Sequence, residues 1–516
     1  MKALCLLLVS NLLLVAGVVT AQSEVPSFTY VECPFDATEG VQCGTLTVLE
    51  NRANPNGFTL DLFVTVIPAR NGNPLPDPVI YLEGGPGGAA TLYTYLWLEH
   101  PLRDNRDLIV FDQRGTGFSL PSLNCWEYEE DVYLEDEDSY AADQACYDRL
   151  LEEGNDLNQY NSIQNAADVA DLVTAMGYEQ VNLYGISYGT RLALSTMRDF
   201  PELVRTAVLD SVYPPEIDVA YTDISTKWEA VDQLLSACEE DATCNEGFPT
   251  LRDDLYYLVK QWNAEPVEFV YIDEYGDEVD MTLTGEDVLD TLFQALYDSS
   301  VIPMLPLGII FLAYAETEDD LVYGYDLIQG YWTPETWEGY DDFEDYPYDP
   351  IAESDFLVEF QEVYGDIGDS EGMFNSVHCS EEYPYADYDG AFADIQSYVD
   401  APDFLYEWLY DEIPSDVEWC GVWAVEPADA IESVRVQSDL PILLVSGRLD
   451  PVTPPSFAES AQEGLPNSQH IVIENGGHGP SGGVGCGATL ITAFINNPSA
   501  KLDTACIRET VEFYVE

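Results

Sequence analysis

The sequence predicts an α/β protein: a mainly parallel β-sheet that is interrupted after its sixth strand by a large, mostly helical insertion. Three observations predict it. Short, continuous apolar runs of the kind found in buried parallel strands occupy the first and last parts of the chain. Helix-like segments separate several of these runs, which is typical of a parallel sheet covered by helices. Between the two parts lies a long acidic stretch in which this alternation stops.

Six strand-like segments precede the insertion. The first two, 44–51 and 59–69, alternate apolar and polar residues and predict an antiparallel pair at the edge of the sheet. The other four are continuous apolar runs at 78–85, 107–115, 181–189 and 206–214. Residues 163–178 predict a helix that ends at a glycine. Two further apolar runs, 440–450 and 468–479, complete the sheet after the insertion.

The length of 516 residues allows a large core together with an inserted domain. The acidic stretch is rich in Tyr and Trp and contains helix-like segments, so we expect it to form a separate cap. The predicted parts are a signal peptide at 1–21, the N-terminal part of the α/β domain at 22–215, the cap at 216–435 and the C-terminal part of the α/β domain at 436–516.

The charge of the chain is strongly negative: 17 Lys and Arg face 96 Asp and Glu, a formal net charge of −79. Nucleic acids and anionic membranes would be repelled by this charge, so neither is an expected partner. Acid-rich surfaces suit high salt, where repulsion is screened, or acidic surroundings, where carboxylates are partly neutral; salt is the favoured interpretation. The sequence does not indicate an oligomeric state.

The N-terminus has the features of a secretory signal. Lys2 provides a basic start, an apolar run follows, and the small residues at 19–21 precede the expected cleavage point. An uncleaved membrane anchor is the alternative, but the apolar run is short and interrupted by Ser10 and Asn11. We therefore expect a secreted or periplasmic protein without membrane attachment after signal removal.

Ten cysteines remain when Cys5 of the signal is set aside. An even number in an exported chain indicates disulfides, although sequence alone does not fix their connectivity. Metal binding is weakly supported, because there is no C-x-x-C motif and the four histidines are scattered, so neither a metal nor a cofactor is expected. The cysteines that are neighbours in sequence are the predicted pairs: Cys33–Cys43, Cys125–Cys146, Cys238–Cys244, Cys379–Cys420 and Cys486–Cys506.

Three reactive side chains follow predicted strands, and they predict a catalytic triad. Ser187 stands in the G-x-S-x-G motif, Asp450 ends "PILLVSGRLD", and His478 lies in "ENGGHG". A serine hydroxyl needs a base to take its proton, and imidazole suits that role because it titrates near neutrality. A carboxylate on the other ring nitrogen fixes the tautomer and stabilises the imidazolium. Separately, each could be an ordinary turn serine, loop acid or glycine-loop histidine; together, in the order Ser, Asp, His, they indicate an α/β hydrolase.

The glycine-rich segment "EGGPGG", residues 83–88, follows another predicted strand. Backbone N–H groups exposed in such a turn can stabilise an oxyanion. Gly85 and Tyr188 are the predicted donors, whereas Pro86 has no N–H and stiffens the turn. An ordinary loop after a strand is the alternative interpretation.

Taken together, "GGPGG", "DQRGTGFS", "GISYGTRLAL", "GRLDPVTPP" and "GGHG" resemble the proline iminopeptidase and tripeptidyl aminopeptidase family of secreted serine exopeptidases, over about residues 30–510. The resemblance implies an α/β-hydrolase fold with a largely helical cap, and removal of residues or short peptides from a free N-terminus. Many members have His before the paired glycines, where this chain has Glu83.

The same resemblance implies that acidic cap residues bind the ammonium group of the substrate. Glu381 and Glu382 of "VHCSEEYPY" match the stretch concerned, although acids are common throughout this chain. Arg114 and Arg191 are cations kept near the nucleophile, and we expect them in structural ion pairs, with Asp112 as a candidate partner.

The leading function is thus a secreted serine aminopeptidase that acts through an acyl-enzyme on peptides with a free N-terminus. An esterase on the same scaffold is one alternative, because fold and triad do not dictate the acyl group. A non-catalytic binding protein is another, although such proteins typically lose a member of the triad. The number of residues released and any preference for proline stay open at this stage.

Overall fold

The computed structural model describes residues 25–35, 37, 40–128, 140–272, 278–330, 368–388, 390, 419–482, 485–507 and 511–515. Its main feature is a nine-stranded sheet in the order β1-β2-β3-β5-β4-β6-β7-β10-β11. These strands are β1 Ser27–Val31, β2 Gln42–Leu49, β3 Thr59–Ile67, β4 Val79–Leu82, β5 Leu108–Phe111, β6 Val181–Ile186, β7 Val204–Asp210, β10 Ile442–Gly447 and β11 Ser468–Ile473. The predicted signal peptide at 1–21 lies outside the described residues.

Parallel pairing joins the six strands β5, β4, β6, β7, β10 and β11. Antiparallel pairing adds β3, β2 and β1 at one edge. The mainly parallel sheet and its antiparallel edge are therefore confirmed. Because the carboxyl ends of the parallel strands lie on the same side of the sheet, the loops that follow β4, β6, β7, β10 and β11 can meet there.

The structure has one strand more than the sequence interpretation included. Strand β1 is short and mostly exposed, so it lacks the apolar run that identifies a buried strand. It pairs with β2, and the Cys33–Cys43 disulfide joins the two segments. The insertion consequently follows the seventh strand of the chain instead of the sixth.

Helices cover both faces of the sheet. Adjacent residues of β6 point to opposite faces: Leu183 belongs to a core shared with Val169 and Leu192, and Tyr184 belongs to a core shared with Phe494. The helices are α1 Ala141–Glu152, α2 Ser162–Met176, α3 Tyr188–Asp199, α4 Val219–Glu240, α5 Ala242–Gly247, α6 Leu251–Ala264, α7 Gly285–Ala295, α8 Leu305–Ala313, α9 Glu318–Gln329, α10 Glu371–Val377, α11 Pro455–Gln462 and α12 Cys486–Asn496. None of these described helices combines the length and apolar character needed to span a membrane.

Between β7 and β10 the described residues are mostly helical, with one antiparallel hairpin formed by β8 Val267–Ile272 and β9 Glu278–Leu283. Helices α4 to α9 pack around an apolar core of their own, which also includes Leu449. Leu449 directly precedes Asp450, so this core extends to the loop after β10. The cap boundaries at 216–435 remain a prediction, and part of that segment, including the Tyr- and Trp-rich stretch 331–350, lies outside the described residues.

Five disulfides are present, and each joins cysteines that are close in sequence. They are Cys33–Cys43, Cys125–Cys146, Cys238–Cys244, Cys379–Cys420 and Cys486–Cys506. The fourth disulfide joins the helical turn directly after α10 to Cys420, near the end of the insertion. In the described residues, the one cluster of metal-ligand type, Cys125, Glu127 and Cys146, contains a disulfide, whose sulfurs are not available as thiolates.

Candidate active site

Ser187 lies at a sharp turn between β6 and α3. Its φ of 52° and ψ of −126° are unusual for a residue with a side chain. The two glycines of the motif are required by close approach: a Cβ on Gly185 would lie 2.3 Å from the carbonyl oxygen of Gly189, and a Cβ on Gly189 would lie 2.0 Å from that of Leu82. The G-x-S-x-G pattern therefore follows from packing of the turn against β4, and it presents the serine at the end of the sheet.

Asp450 lies in the loop after β10 with its carboxylate fully buried. The N–H groups of Val452 and Thr453 each donate to its Oδ1 at 2.9 Å. The hydroxyls of Ser211 and Thr453 donate to its Oδ2 at 2.7 and 2.8 Å. His478 Nδ1 lies 2.9 and 3.0 Å from the two carboxylate oxygens. Such a bonded carboxylate can fix the orientation of the imidazole and balance its charge.

The loop that carries His478 contacts the insertion directly. The backbone N–H of His478 donates to the carbonyl of Tyr297 at 3.1 Å, and the ring of Tyr297 packs edge-on against the imidazole. The N–H of Gly477 donates to Ser299 Oγ at 3.0 Å. The imidazole of His478 is therefore held from the sheet side by Asp450, and its loop is held from the insertion by residues just after α7.

Ser187 is half-buried, and its hydroxyl has no hydrogen-bond partner in the described part of the chain. Serine and base loop are nevertheless close: a Cβ on Gly479 would lie 2.5 Å from Ile186. Catalytic hydrogen bonds are often long without substrate and tighten when it binds. The three predicted residues thus meet at one end of the sheet, with the Asp–His bond formed and the Ser hydroxyl open.

The glycine-rich loop after β4 lies beside the serine. A Cβ on Gly84 would be 2.9 Å from Ser187 Cβ. The N–H of Gly84 already donates to the Glu83 carboxylate at 2.8 Å, whereas no hydrogen bond of the Gly85 N–H is recorded among the described residues. Tyr188 is the first residue of α3, where N–H groups have no partner within the helix. Gly85 and Tyr188 remain the candidate oxyanion donors.

Glu83, where the family often has His, is built into this loop. Its carboxylate accepts from the Tyr81 hydroxyl and from Gly84 N–H, both at 2.8 Å. Gln113 donates to its backbone carbonyl at 3.0 Å. Burial raises the pKa of Glu83, and the two hydrogen bonds oppose that rise. The carboxylate therefore braces the loop from within, a role that the resemblance did not indicate.

The pKa of His478 is set by opposing effects. Burial favours the neutral imidazole, but contact with Asp450 outweighs it, and Asp210 and Glu83 add to the same effect, so the pKa lies above 6.5. Correspondingly, although burial opposes ionisation, His478 holds the pKa of Asp450 below 3.8. Asp210 is buried as well, and burial raises its pKa to about 7.

These shifts predict the acid limb of the pH–rate profile. Because His478 must be neutral to act as a base, kcat/KM should fall as the pH drops through a midpoint above 6.5. Raising NaCl from 0.1 to 1 M shortens the Debye length from about 10 to about 3 Å, so distant carboxylates lose their influence and the midpoint should move down. The buried neighbours should keep it above 6.5. A midpoint that is unmoved or higher in salt would show that surface charge does not act on His478.

Glu381 and Glu382 lie in a π-helical turn, His378–Glu382, which contacts α3 through Arg191. Glu381 accepts from the N–H and hydroxyl of Ser162 and from Arg191 Nε, the last at 3.2 Å. Glu382 accepts from the Tyr213 hydroxyl at 2.6 Å and contacts His378 Nδ1. Both carboxylates are therefore engaged with protein groups, and both border a cavity of about 160 Å³.

The same two glutamates differ in charge state. Burial raises the pKa of Glu381 to about 7, against the opposing charge of Arg191. Burial also acts on Glu382, but there His378 and Arg191 prevail and lower the pKa to about 2. Glu382 is therefore ionised at neutral pH, whereas Glu381 is close to its midpoint.

The two arginines form buried ion pairs, though not with Asp112. Arg114 pairs with Asp168 at 2.7 Å, and Arg191 pairs with Glu381. Asp112 instead accepts from the N–H and hydroxyl of Thr91 and from the N–H of Phe118. The suggestion of Asp112 as a partner was wrong, because its carboxylate is occupied by hydrogen bonds from the loops after β4 and β5.

Several residues around the site were not identified from the sequence. Asp210 and Ser211 lie at the end of a strand-like run, where the sequence indicated only buried structural positions. Tyr297 and Ser299 are distant in sequence from His478. A positive φ at a residue other than glycine, as at Ser211, cannot be identified from the amino-acid sequence. One sequence signal could have identified Asp210 and Ser211: they are polar residues at the carboxyl end of a parallel strand, on the same side of the sheet as the three candidate triad residues.

Comparison with known proteins agrees with this arrangement. A family model described as alpha/beta hydrolase fold matches residues 77–239, and one described as TAP-like protein matches residues 410–506. Serine protease Hip1 of Mycobacterium tuberculosis is 24% identical over 445 residues, which cover 80% of this chain and 77% of that protein.

Two further relatives are shorter matches. Tripeptidyl aminopeptidase of Streptomyces coelicolor is 28% identical over 232 residues, which cover 39% of this chain and 41% of that protein. Proline iminopeptidase of Xylella fastidiosa is 26% identical over 142 residues, which cover 28% and 34%. With the sheet order and the site, these matches make the chain an α/β hydrolase. Within that fold it is similar to serine peptidases, among them tripeptidyl aminopeptidase and proline iminopeptidase.

Proposed function

We propose that the protein is a secreted serine aminopeptidase that removes residues or short peptides from free N-termini. The observation that carries the proposal is the strained strand-to-helix turn at Ser187 beside the bonded pair His478 and Asp450. The five disulfides support secretion, since such bonds persist in oxidising compartments. The names of the relatives support a peptide as the acyl donor.

The proposed reaction has two stages. His478 Nε2 takes the proton of Ser187 as its Oγ attacks the carbonyl carbon of the scissile peptide bond, and Asp450 stabilises the imidazolium. The N–H groups of Gly85 and Tyr188 stabilise the developing oxyanion. His478 then gives the proton to the amine as the peptide C–N bond breaks. In the second stage His478 takes a proton from a water molecule that attacks the acyl-enzyme, and it returns this proton to Ser187 Oγ as the ester bond breaks.

The cavity at Glu381 and Glu382 supports a requirement for a free N-terminus. Four carboxyl groups line it, from Glu216, Asp218, Glu381 and Glu382, together with Arg191; one oxygen of Glu216 is also paired with Arg435 at 3.0 Å. The other oxygen of Glu216 is buried without a hydrogen-bond partner in the described structure. A substrate ammonium group brings a positive charge and three donors to such a cavity, whereas an acetylated terminus brings neither.

Blocking the N-terminus of the substrate should therefore remove most activity. Loss of a desolvated ammonium–carboxylate contact is worth roughly 2–5 kcal/mol, or about 30-fold to several-thousand-fold in kcat/KM. The measurement compares chromogenic mono-, di- and tripeptide substrates with free and acetylated N-termini, which also identifies the unit released. Equal rates on free and acetylated peptides would favour an endopeptidase or an esterase.

A matched variant tests the cavity itself. Glu382→Gln keeps the shape of the side chain and removes its charge, so kcat/KM should drop for free peptides and change little for acetylated ones. A purely structural role for Glu382 would lower both by the same factor. An equal loss on the two substrates would thus contradict the proposed ammonium site while leaving the triad unaffected.

A further inference from the structure

Ser211, the residue directly after β7, has an unusual backbone. Its φ is 56°, and besides Ser187 it is the one non-glycine residue with positive φ in the described parts of the chain. It is fully buried, and its N–H donates to the carbonyl of Val445 at 2.9 Å. Glycine would adopt this conformation without strain, so a serine here implies that the side chain does something glycine cannot.

The Ser211 hydroxyl links the acid to the base loop. It donates to Asp450 Oδ2 at 2.7 Å and accepts from the N–H of Gly479, also at 2.7 Å. Gly479 directly follows His478. A carboxylate can only accept and an N–H can only donate, so the group between them must do both, and a hydroxyl is the smallest side-chain group that does.

A second contact from the end of β7 holds the same loop. The Asp210 carboxylate accepts from the N–H of Ser481 at 3.2 Å and from its hydroxyl. The Ser481 hydroxyl also lies 2.9 Å from that of Tyr184. Asp210, the last residue of β7, and Ser211, which follows it, thus hold the loop at Ser481 and at Gly479, just C-terminal to His478.

We propose that Ser211 is a positioning residue of the hydrolytic reaction, which holds Asp450 and the His478 loop in register through one hydroxyl. The inference rests on the proposed triad. It also accounts for the backbone strain at Ser211, because the conformation directs Oγ between the two loops. Its loss should misplace the imidazole without altering the substrate cavity, so kcat should change and KM should not.

The variant Ser211→Ala tests this. We expect kcat to drop about 10- to 100-fold, since small displacements of a catalytic group have effects of that size, with KM within about twofold. The acid limb should also move to higher pH, because Asp450 loses a donor and interacts more strongly with the imidazolium. The charged or titratable groups that face His478 are Asp450, Asp210, Glu83 and, from the insertion, Tyr297; the last three are unchanged in the variant.

Thr453→Ala is the matched comparison. Thr453 also donates a hydroxyl to Asp450 Oδ2, and that hydroxyl lies 3.4 Å from His478 Nδ1, but it makes no hydrogen bond with Gly479 in the described structure. Both variants should therefore raise the midpoint of the acid limb, and Ser211→Ala should lose clearly more kcat on the pH plateau. Equal plateau losses would mean that the link to the base loop has no effect of its own, which overturns the proposal.

Ser211→Gly separates the hydroxyl from the backbone. Glycine adopts a positive φ without strain, so this variant can replace Ser211→Ala if the alanine variant does not fold. We expect it to show the same loss of kcat. Full activity of the glycine variant would overturn the proposed role of Ser211. If Ser187→Ala is inactive at the same time, the proposed triad is unaffected by that result. Activity retained by Ser187→Ala would instead reject the triad and, with it, the role of Ser211.

Discussion

Replacing Ser187 with alanine is expected to reduce kcat by about 10⁶ and to leave the fold intact. Loss of a triad nucleophile has an effect of this size, because the base then has no hydroxyl to activate. The hydroxyl makes no hydrogen bond in the described structure, so its removal breaks no contact of the folded state. Turnover of a chromogenic peptide and circular dichroism of the same sample measure the two parts of the prediction.

Ser195→Ala provides the control on the same helix. Ser195 is buried and donates to Glu432 at 3.0 Å, two turns beyond Ser187. Its replacement should lower stability by about 1 kcal/mol and leave turnover of the folded enzyme within a few-fold. If Ser187→Ala kept more than a hundredth of the wild-type activity, Ser187 would not be the nucleophile.

That the three candidate triad residues lie at one end of the sheet could be predicted, because each of them lies in a short local motif. Ser187 stands between the glycines that its turn requires, and Asp450 and His478 each follow an apolar run that was identifiable as a buried strand. Parallel strands place such termini on one side of a sheet, so the three motifs could be brought together without knowing any long-range contact. The mainly parallel sheet was predictable for the same reason.

Contacts between distant segments could not be predicted in this way. The pairing of Arg191 with Glu381 joins residues 190 positions apart, and in a chain with 96 acids no pattern selects one carboxylate. Ser211 lies within a strand-like run, where its backbone angle and its two partners have no sequence signature. Strand β1 was missed because an exposed edge strand has no apolar run to identify it.

The insertion and the base are coupled through backbone contacts. Tyr297 and Ser299 hold the N–H groups of His478 and Gly477, and the core around Leu449 reaches the residue before Asp450. The insertion thus contacts the segments that carry Asp450 and His478, so its packing bears on the orientation of both side chains. This explains why residues from three parts of the chain are needed to position one imidazole.

Arg191 is the residue whose replacement should most affect stability. It is almost fully buried, pairs with Glu381 at 3.2 Å and Glu382 at 3.5 Å, and donates to the carbonyl of Glu432 at 2.9 Å. Both carboxylate partners lie in the π-helical turn after α10, so the pairs connect α3 to the turn that borders the cavity. Removing the cation takes away the ionic partner of the buried Glu381 and leaves Glu382 with its contact to His378.

Arg191→Met should therefore lower the free energy of unfolding by roughly 3–5 kcal/mol, the usual effect of breaking a buried ion pair on one side. Urea unfolding with the disulfides intact measures it. Arg252→Met is the control: its partners Asp232 and Glu239 are exposed, so a loss of about 1 kcal/mol or less is expected.

The loss from Arg191→Met should also depend on pH. Burial already raises the pKa of Glu381 to about 7, and without the arginine it rises further. Unfolded glutamate ionises near 4.5, so between these values folding requires proton uptake, and stability falls as pH rises through that window. The deficit of the variant should thus be larger at pH 8 than at pH 5.5. A deficit that was equal at both, or no greater than that of Arg252→Met, would mean that the buried carboxylates do not depend on Arg191 for their charge balance.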